Sequence, residues 1–140
     1  MKKILVALDA SARAPIVFDA ARLLANQLGA RLVAYRAIGI PPELPRDLLA
    51  LPELTLEDTL LRSGRESLKR MVGDEPLVDR MVVELATPWD GICRAATEYA
   101  ADLVVMGSHG YHGLDKLLGT TAAKVVNHTG HNVLVVRTPL

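Results

Sequence analysis

The apolar positions of this 140-residue chain are grouped in short runs, and longer stretches with a helical repeat of apolar and polar residues separate them. Four runs are nearly continuous in branched aliphatic residues, which is typical of strands covered on both faces of a parallel sheet. They extend from Lys3 to Leu8, from Arg31 to Ile38, from Asp102 to Gly107 and from Asn132 to Arg137. A fifth run, from Leu77 to Ala86, alternates more clearly and also predicts a strand.

Between the strands, apolar residues recur every three or four positions and predict helices. The first of these faces ends before Gly29 and the second before Gly73, and glycine commonly follows the last turn of a helix. Thr87 and Pro88 predict the start of a third helix, with threonine at the N-cap and proline in the first turn. The three apolar faces comprise Val17, Ala21, Leu24 and Leu28; Leu60, Leu61, Gly64, Leu68 and Met71; and Ile92, Ala96 and Tyr99.

The regular alternation of strand and helix predicts an α/β fold with one domain over residues 1–140. We expect a doubly wound, Rossmann-like sheet of five parallel strands, with right-handed crossovers and helices on both faces. The segment from Gly39 to Glu53 contains several prolines and is expected to be an irregular loop. In such a sheet, ligands bind beyond the carboxyl ends of the strands, at the point where the strand order reverses.

Composition narrows the possible partners. Sixteen lysines and arginines balance sixteen aspartates and glutamates, which argues against nucleic acid or an anionic membrane surface because both require a basic footprint. The single cysteine, Cys93, has no partner for an intrachain disulfide. This lone cysteine favours the reducing cytoplasm as the location. The first apolar run ends at Asp9, and no run approaches the length of a membrane span, so we expect no membrane insertion.

Two glycine-bearing segments favour a phosphate site. The segment from Gly107 to Gly110 directly follows the fourth strand, and the segment from Gly119 to Ala122 stands where the last helix begins. Glycine lets backbone N–H groups approach an anion closely, and the start of a helix offers unpaired N–H donors at the positive end of its dipole. Asp9 and Ser11, after the first strand, either contact a ribose or a metal on a polyphosphate, or cap the first helix.

Other kinds of site have less support in the sequence. The dinucleotide-binding pattern G-x-G-x-x-G is missing after the first strand, and the lysine of a P-loop does not precede Thr120. His109 and His112 form one pair and His128 and His131 another, but no cysteine or acid accompanies either pair to complete a zinc site. No serine has an Asp/His partner at recognisable spacing, so nucleophilic catalysis is not indicated.

Taken in order, the motifs resemble those of the universal stress proteins. The first strand ends in the Asp-x-Ser pattern at Asp9, the Gly-x2-Gly pattern begins at Gly107, a Gly-Thr pair follows at Gly119, and the chain closes with a Val-Leu-Val-Val strand. The spacer before Gly119 is one residue shorter than in the nucleotide-binding branch of that family, and Asn132 stands where proline is commoner. The resemblance implies the family's five-stranded parallel fold, of the adenine nucleotide alpha hydrolase-like type.

The resemblance further implies a small regulatory, stress-response protein that binds ATP, ADP or AMP, with Mg²⁺ on the phosphates. Asp9 is then expected to face the ribose and to be the candidate metal contact, while Ala37 and Met106 lie near the base. The implied nucleotide-binding residues are Ala7, Asp9, Ser11, Ala37, Met106, Gly107, His109, Gly110, Gly119, Thr120, Thr121 and Ala122.

No catalytic base is recognisable, so any ATPase activity is expected to be weak. Two alternatives remain open: a nucleotide hydrolase or phosphotransferase that uses Asp9 and Mg²⁺, and a nucleotide-free interaction module. The last strand, from Asn132 to Arg137, is apolar and is expected to lie at an edge of the sheet. Such an edge can pair with a second copy about a two-fold axis, which predicts a homodimer; any other protein partner is unknown.

Overall fold

The computed structural model describes residues 1–39, 56–108 and 119–138, and strands and helices alternate along them. Each apolar run identified in the sequence forms a strand, and each periodic segment between them forms a helix. The elements are β1 Lys3–Ala7, α1 Ala14–Leu28, β2 Arg31–Ile38, α2 Leu56–Val72, β3 Val78–Leu85, α3 Pro88–Glu98, β4 Leu103–Gly107, α4 Thr120–His128 and β5 Asn132–Val136.

The five strands form one parallel sheet in the order β3-β2-β1-β4-β5. The central strand β1 pairs with β2 on one side, where Val6 lies opposite Ala34, and with β4 on the other, where Val6 lies opposite Val105. The chain therefore builds the sheet outward from β1 to β3 and then crosses to the other side for β4 and β5. The expected doubly wound parallel sheet is confirmed, and its strand order reverses between β1 and β4.

Helices cover both faces of the sheet because the strand side chains alternate between two cores. Ile4 and Val6 of β1 pack with α1 and α2 on one face, whereas Leu5 packs with α3 and α4 on the other. Both cores are mainly aliphatic; Phe18 and Tyr35 are their buried aromatic residues. Among the described residues, no helix has the length and apolar character needed to cross a membrane.

The ends of the elements follow the local signals closely. Gly29 ends α1 with a positive φ of 66°, and its N–H donates to the carbonyl of Ala25, as expected of a glycine after a helix. Thr87 is the N-cap of α3 and Pro88 its first residue, although the Thr87 hydroxyl makes no capping hydrogen bond. Several strands are shorter than predicted by a residue at one end, and β1 stops at Ala7. The predicted loop from Gly39 to Glu53 lies, apart from Gly39, outside the described residues.

Candidate functional site

A cleft opens at the carboxyl ends of β1, β2 and β4, where the strand order reverses. It is a partly open cleft with a mainly apolar lining. The first turns of α1, α3 and α4 form its sides, through Ala14, Pro88 and Thr121 respectively. The cleft therefore lies where the topology alone predicts a ligand site.

Most of the residues expected to bind nucleotide lie in this cleft. Those that line it are Ala7, Asp9, Ser11, Ala37, Met106, Gly107, Thr121 and Ala122. Gly119 and Thr120 stand beside it as the N-cap and first residue of α4, without being among its lining residues. His109 and Gly110 lie outside the described residues. Segments that are far apart in the sequence thus meet at one end of the sheet.

The cleft also contains polar side chains that the sequence reasoning missed. Arg13, Tyr35, Arg36 and Thr138 all line it. One of them carried a signal: Arg36 is a charged residue inside an otherwise apolar strand, and an arginine is rarely buried there unless it has several partners. Tyr35 gave no such signal, because a tyrosine is common in strands.

Asp9 and Ser11 form a tight polar turn between β1 and α1. The Ser11 N–H donates to Oδ1 of Asp9 at 2.9 Å, and the Arg13 N–H donates to Oγ of Ser11 at 3.2 Å. The N-cap of α1 is Arg13, and no side chain makes a capping hydrogen bond there. Asp9 and Ser11 therefore both make local hydrogen bonds in the turn that leads into α1, as the alternative of a local role expects, and this role does not exclude ligand binding. An ionised carboxylate has about four acceptor positions, so the bond from Ser11 leaves Asp9 able to accept from a ligand.

Arg36 is buried at the end of β2, directly beside this turn, with 2% of its surface exposed. Its Nε donates to the carbonyl of Leu8 at 2.9 Å and its Nη2 to the carbonyl of Asp9, also at 2.9 Å. Its Nη1 donates to Oγ of Ser67 in α2 at 2.8 Å. The guanidinium thereby joins β1, β2 and α2 at the rim of the cleft.

Tyr35 occupies the opposite face of β2, below α3. Its hydroxyl donates to Oε1 of Glu84 at 2.7 Å, and burial, followed by this hydrogen bond, raises its pKa above the usual range. The hydroxyl lies so close to Gly91 that a Cβ there would overlap it. A neutral phenol is therefore wedged between β2 and the first turn of α3, and it fixes one wall of the cleft.

Backbone hydrogen bonds hold the start of α4 in place beside the cleft. The Ser108 N–H donates to the carbonyl of Val136 at 2.9 Å, and the Gly119 N–H donates to the carbonyl of Ser108 at 2.7 Å. These bonds tie the start of α4 to the ends of β4 and β5. The first N–H groups of a helix lack carbonyl partners within the helix and lie at its positive end, which suits an anion. Gly107 is close-packed as well, because a Cβ there would lie 3.2 Å from Cγ2 of Val17.

The remaining candidates lie away from the cleft. The rings of His128 and Trp89 contact each other with centroids 4.7 Å apart, and the ring nitrogens of His131 contact Thr97 Oγ1 and the Ala101 carbonyl. Within the described ranges, no three histidine, cysteine or acidic side chains converge as metal ligands. Cys93 is half-buried against the core, and burial raises its thiol pKa.

Comparison with known proteins agrees with this architecture. The sequence model of the Universal stress protein family matches residues 1–137. Universal stress protein A homolog 1 of Coxiella burnetii is 32% identical over 147 aligned positions, which cover 96% of this chain and 95% of that protein.

Solved structures show the same fold. Universal stress protein UspA from Lactobacillus plantarum superposes with a TM-score of 0.75 at 23% identity and 97% coverage of both chains. A universal stress protein in complex with cAMP superposes with a TM-score of 0.63 at 24% identity, over 99% of this chain and 98% of that one.

Proposed function

Because this chain belongs to the universal stress protein family, we propose that it is an adenine-nucleotide-binding regulatory protein of the stress response and that ATP occupies the cleft. The proposed location is the cytoplasm, where the lone Cys93 would remain a thiol. The relative solved with cAMP supports a nucleotide as the class of ligand.

The observation that carries this proposal is the meeting of three different surfaces in one cleft. Asp9 and Ser11 supply polar groups at the end of β1, and Ala37 and Met106 supply an apolar wall. Thr121 lies in the first turn of α4, at the positive end of that helix. A sugar, a base and a phosphate chain need these three kinds of surface side by side.

The roles follow from this chemistry. The carboxylate of Asp9 would accept hydrogen bonds from ribose hydroxyls or contact a Mg²⁺ carried by the phosphates. The start of α4, with Gly119 and Thr120, would hold the phosphates, and we extend that assignment to His109 and Gly110. The hydrogen bond from the Ser11 N–H orients the Asp9 carboxylate, and no group recognisable as a catalytic base for water accompanies it in the sequence. Hydrolysis of ATP is accordingly expected to be slow.

The most direct test identifies what the protein carries. Freshly purified protein is denatured and the released small molecules are analysed by mass spectrometry, with an adenine nucleotide as the expected result. Calorimetric titration of the nucleotide-free protein then compares ATP, ADP, AMP, cAMP and adenosine. We expect ATP to bind about tenfold or more tightly than adenosine, because the helix start contacts phosphate. No released nucleotide and no heat on titration with ATP would contradict the proposal.

A glycine variant tests the phosphate assignment. In Gly119→Val, a branched side chain stands at the N-cap of α4, where backbone must approach the anion, and ATP affinity should fall about tenfold. Gly130→Val at the other end of the same helix is the control, because a Cβ there meets no atom within 4 Å. Both variants should keep the circular dichroism of the native protein. Equal ATP affinity in the two variants would mean that the phosphates do not bind at the start of α4.

The hydrolase alternative makes a different prediction for Asp9. If Asp9 with Mg²⁺ supported turnover, purified protein would release phosphate from ATP well above background, and Asp9→Asn would abolish that release. If Asp9 only binds, Asp9→Asn weakens ATP binding and leaves the same slow rate per bound nucleotide. Phosphate release measured at saturating ATP in both proteins separates the two functions.

We also propose that the chain forms a homodimer through β5. This strand lies at the edge of the sheet, as predicted, because among the described strands β4 is its only neighbour. Its sequence, Asn132–Val136, carries no charge, and Leu134 is 40% exposed. An exposed apolar edge strand readily pairs with another strand, and two identical edges can close as an antiparallel pair. This surface is also the feature that supports the alternative of an interaction module.

A further inference from the structure

The buried guanidinium of Arg36 donates hydrogen bonds to two backbone carbonyls just beyond the end of β1. The last ladder bond between β1 and β2 runs from the Leu8 N–H to the carbonyl of Tyr35, and the chain then leaves the sheet toward α1. The next carbonyls, those of Leu8 and Asp9, continue past the end of the strand at the rim of the cleft. Both accept hydrogen bonds from Arg36, at 2.9 Å each.

Arginine suits this position better than lysine does. Its planar fork places several N–H groups in fixed directions, whereas a lysine ammonium presents its donors from one nitrogen on a flexible stem. Arg36 uses Nε and Nη2 for the two carbonyls and Nη1 for Oγ of Ser67, so three nitrogens meet three oxygens. Hydrogen bonds from a charged donor are also stronger than neutral ones. The guanidinium therefore fixes the exit path of β1 against α2.

A second hydrogen bond, within the turn after β1, holds the side chain of Asp9. Its carbonyl accepts from Arg36, while its Oδ1 accepts from the N–H of Ser11. The backbone and the side chain of Asp9 are thus each tied by a separate bond, and the direction of the carboxylate is set by both. Substitution of Arg36 would remove the hydrogen bond to the Asp9 carbonyl, while the bond from the Ser11 N–H to the Asp9 carboxylate would remain.

We propose that Arg36 is the positioning residue for sugar recognition: it acts through the backbone of Asp9 and holds the carboxylate toward the ribose hydroxyls. This inference rests on the proposed binding of nucleotide in the cleft. It makes Arg36 a determinant of selectivity for the sugar, separate from the residues around the phosphates. The consequence is a measurable discrimination between ribose and a sugar that lacks its hydroxyls.

The test compares ATP with 2′,3′-dideoxy-ATP by calorimetry in the wild type, Arg36→Met and Arg36→Lys. We expect the wild type to prefer ATP about tenfold or more, since the dideoxy sugar leaves the carboxylate without its donors. Arg36→Met should lose that preference, mostly through weaker ATP binding, and Arg36→Lys should recover part of it. Arg31→Met is the matched control, because Arg31 lies in the same strand but pairs with Asp79 outside the cleft.

The outcomes separate this inference from the function on which it rests. A wild type that binds neither nucleotide overturns the proposed function and this inference with it. A wild type that binds both equally well overturns the sugar role of Asp9, and hence of Arg36, but leaves nucleotide binding intact. If Arg36→Met weakens both ligands equally and keeps the preference, its role is only structural and the inference is wrong. Should Arg36→Met fail to fold, the same preference is measured in Arg36→Lys and Ser67→Ala, and an undiminished preference in both overturns the inference.

Discussion

The two edges of the sheet differ in how they meet solvent. On β3, the charged residues have partners: Asp79 pairs with Arg31 at 2.6 Å, and Arg80 lies over the ring of Tyr99. Glu84 on the same strand accepts from Tyr35. On β5, Asn132–Val136 has no charged residue. The β3 edge carries paired charges beside its exposed Met81, whereas the β5 edge carries no charge, exposes Leu134 and pairs with no further strand among the described residues.

This difference determines which edge strand can pair with another chain. Charged side chains on an edge strand oppose its pairing with another chain, because their solvation would be lost on contact. An apolar edge gains from burial instead. The fold thus protects β3 and leaves β5 as the surface on which a second copy can add. The comparison predicts that the same substitution disrupts association at the β5 edge and has no effect on it at the β3 edge.

The largest expected effect comes from placing a charge on each edge in turn. Leu134 and Met81 are exposed to nearly the same extent, 40% and 41%, and lie on β5 and β3 respectively. Leu134→Lys should convert a dimer to a monomer, because the lysine would be buried against its own copy in the antiparallel pair. Met81→Lys should leave the dimer unchanged. Light scattering at micromolar concentration measures both, and a monomeric wild type would refute the proposed dimer outright.

The second effect concerns the packing of α3 against Tyr35, on the side of the sheet that ends in β3. Gly91→Ala places a Cβ against the hydroxyl of Tyr35 and 2.9 Å from Cβ of Ala86, so we expect a loss of about 1–3 kcal/mol in the free energy of unfolding. Gly130→Ala, where a Cβ meets open space, should change it by less than about 0.5 kcal/mol. Urea denaturation provides both values. In a Tyr35→Phe background the penalty at Gly91 should shrink, since the overlapping hydroxyl is gone; an unchanged penalty would exclude that contact as its cause.

A smaller effect is expected from Tyr35 alone. Tyr35→Phe removes the hydrogen bond to Glu84 and should cost about 1 kcal/mol at neutral pH. Because burial raises the pKa of Tyr35 in the folded protein, its contribution is complete below the tyrosine pKa of the unfolded chain and is lost as pH rises above it. The wild type should therefore lose stability above about pH 10, while Tyr35→Phe should lose less over the same range. Parallel pH curves for the two proteins would contradict this.

Much of the fold could be predicted from the sequence because burial on both faces leaves continuous apolar runs. The strands from Lys3 and from Arg31 were recognisable for that reason, and so was the edge position of the last strand. The lining of the cleft was partly predictable, since parallel strands end at the same edge of the sheet. The contacts of Arg36 were not, because two of its hydrogen-bond partners are backbone carbonyls, which have no signature in the sequence, and the third, Ser67, lies in a distant helix. The Tyr35–Gly91 contact joins residues that only the packing of α3 brings together.

The smallest effect concerns the ion pair that covers the β3 edge. Arg31 Nη2 lies 2.6 Å from Oδ1 of Asp79, and this hydrogen bond lowers the pKa of the carboxyl. Both side chains are about half exposed, so the pair is screened by water and salt and contributes little to stability. Its contribution is present above the pKa of an unfolded aspartate and is lost as pH falls through the lower, folded value. Arg31→Met should therefore change the urea midpoint slightly at pH 7 and progressively less toward pH 3, with the difference reduced in 1 M salt. A large midpoint change that persists in acid and in high salt would mean that Arg31 holds the edge through its hydrogen bond to the Pro76 carbonyl instead, and that charge pairing is not what protects β3.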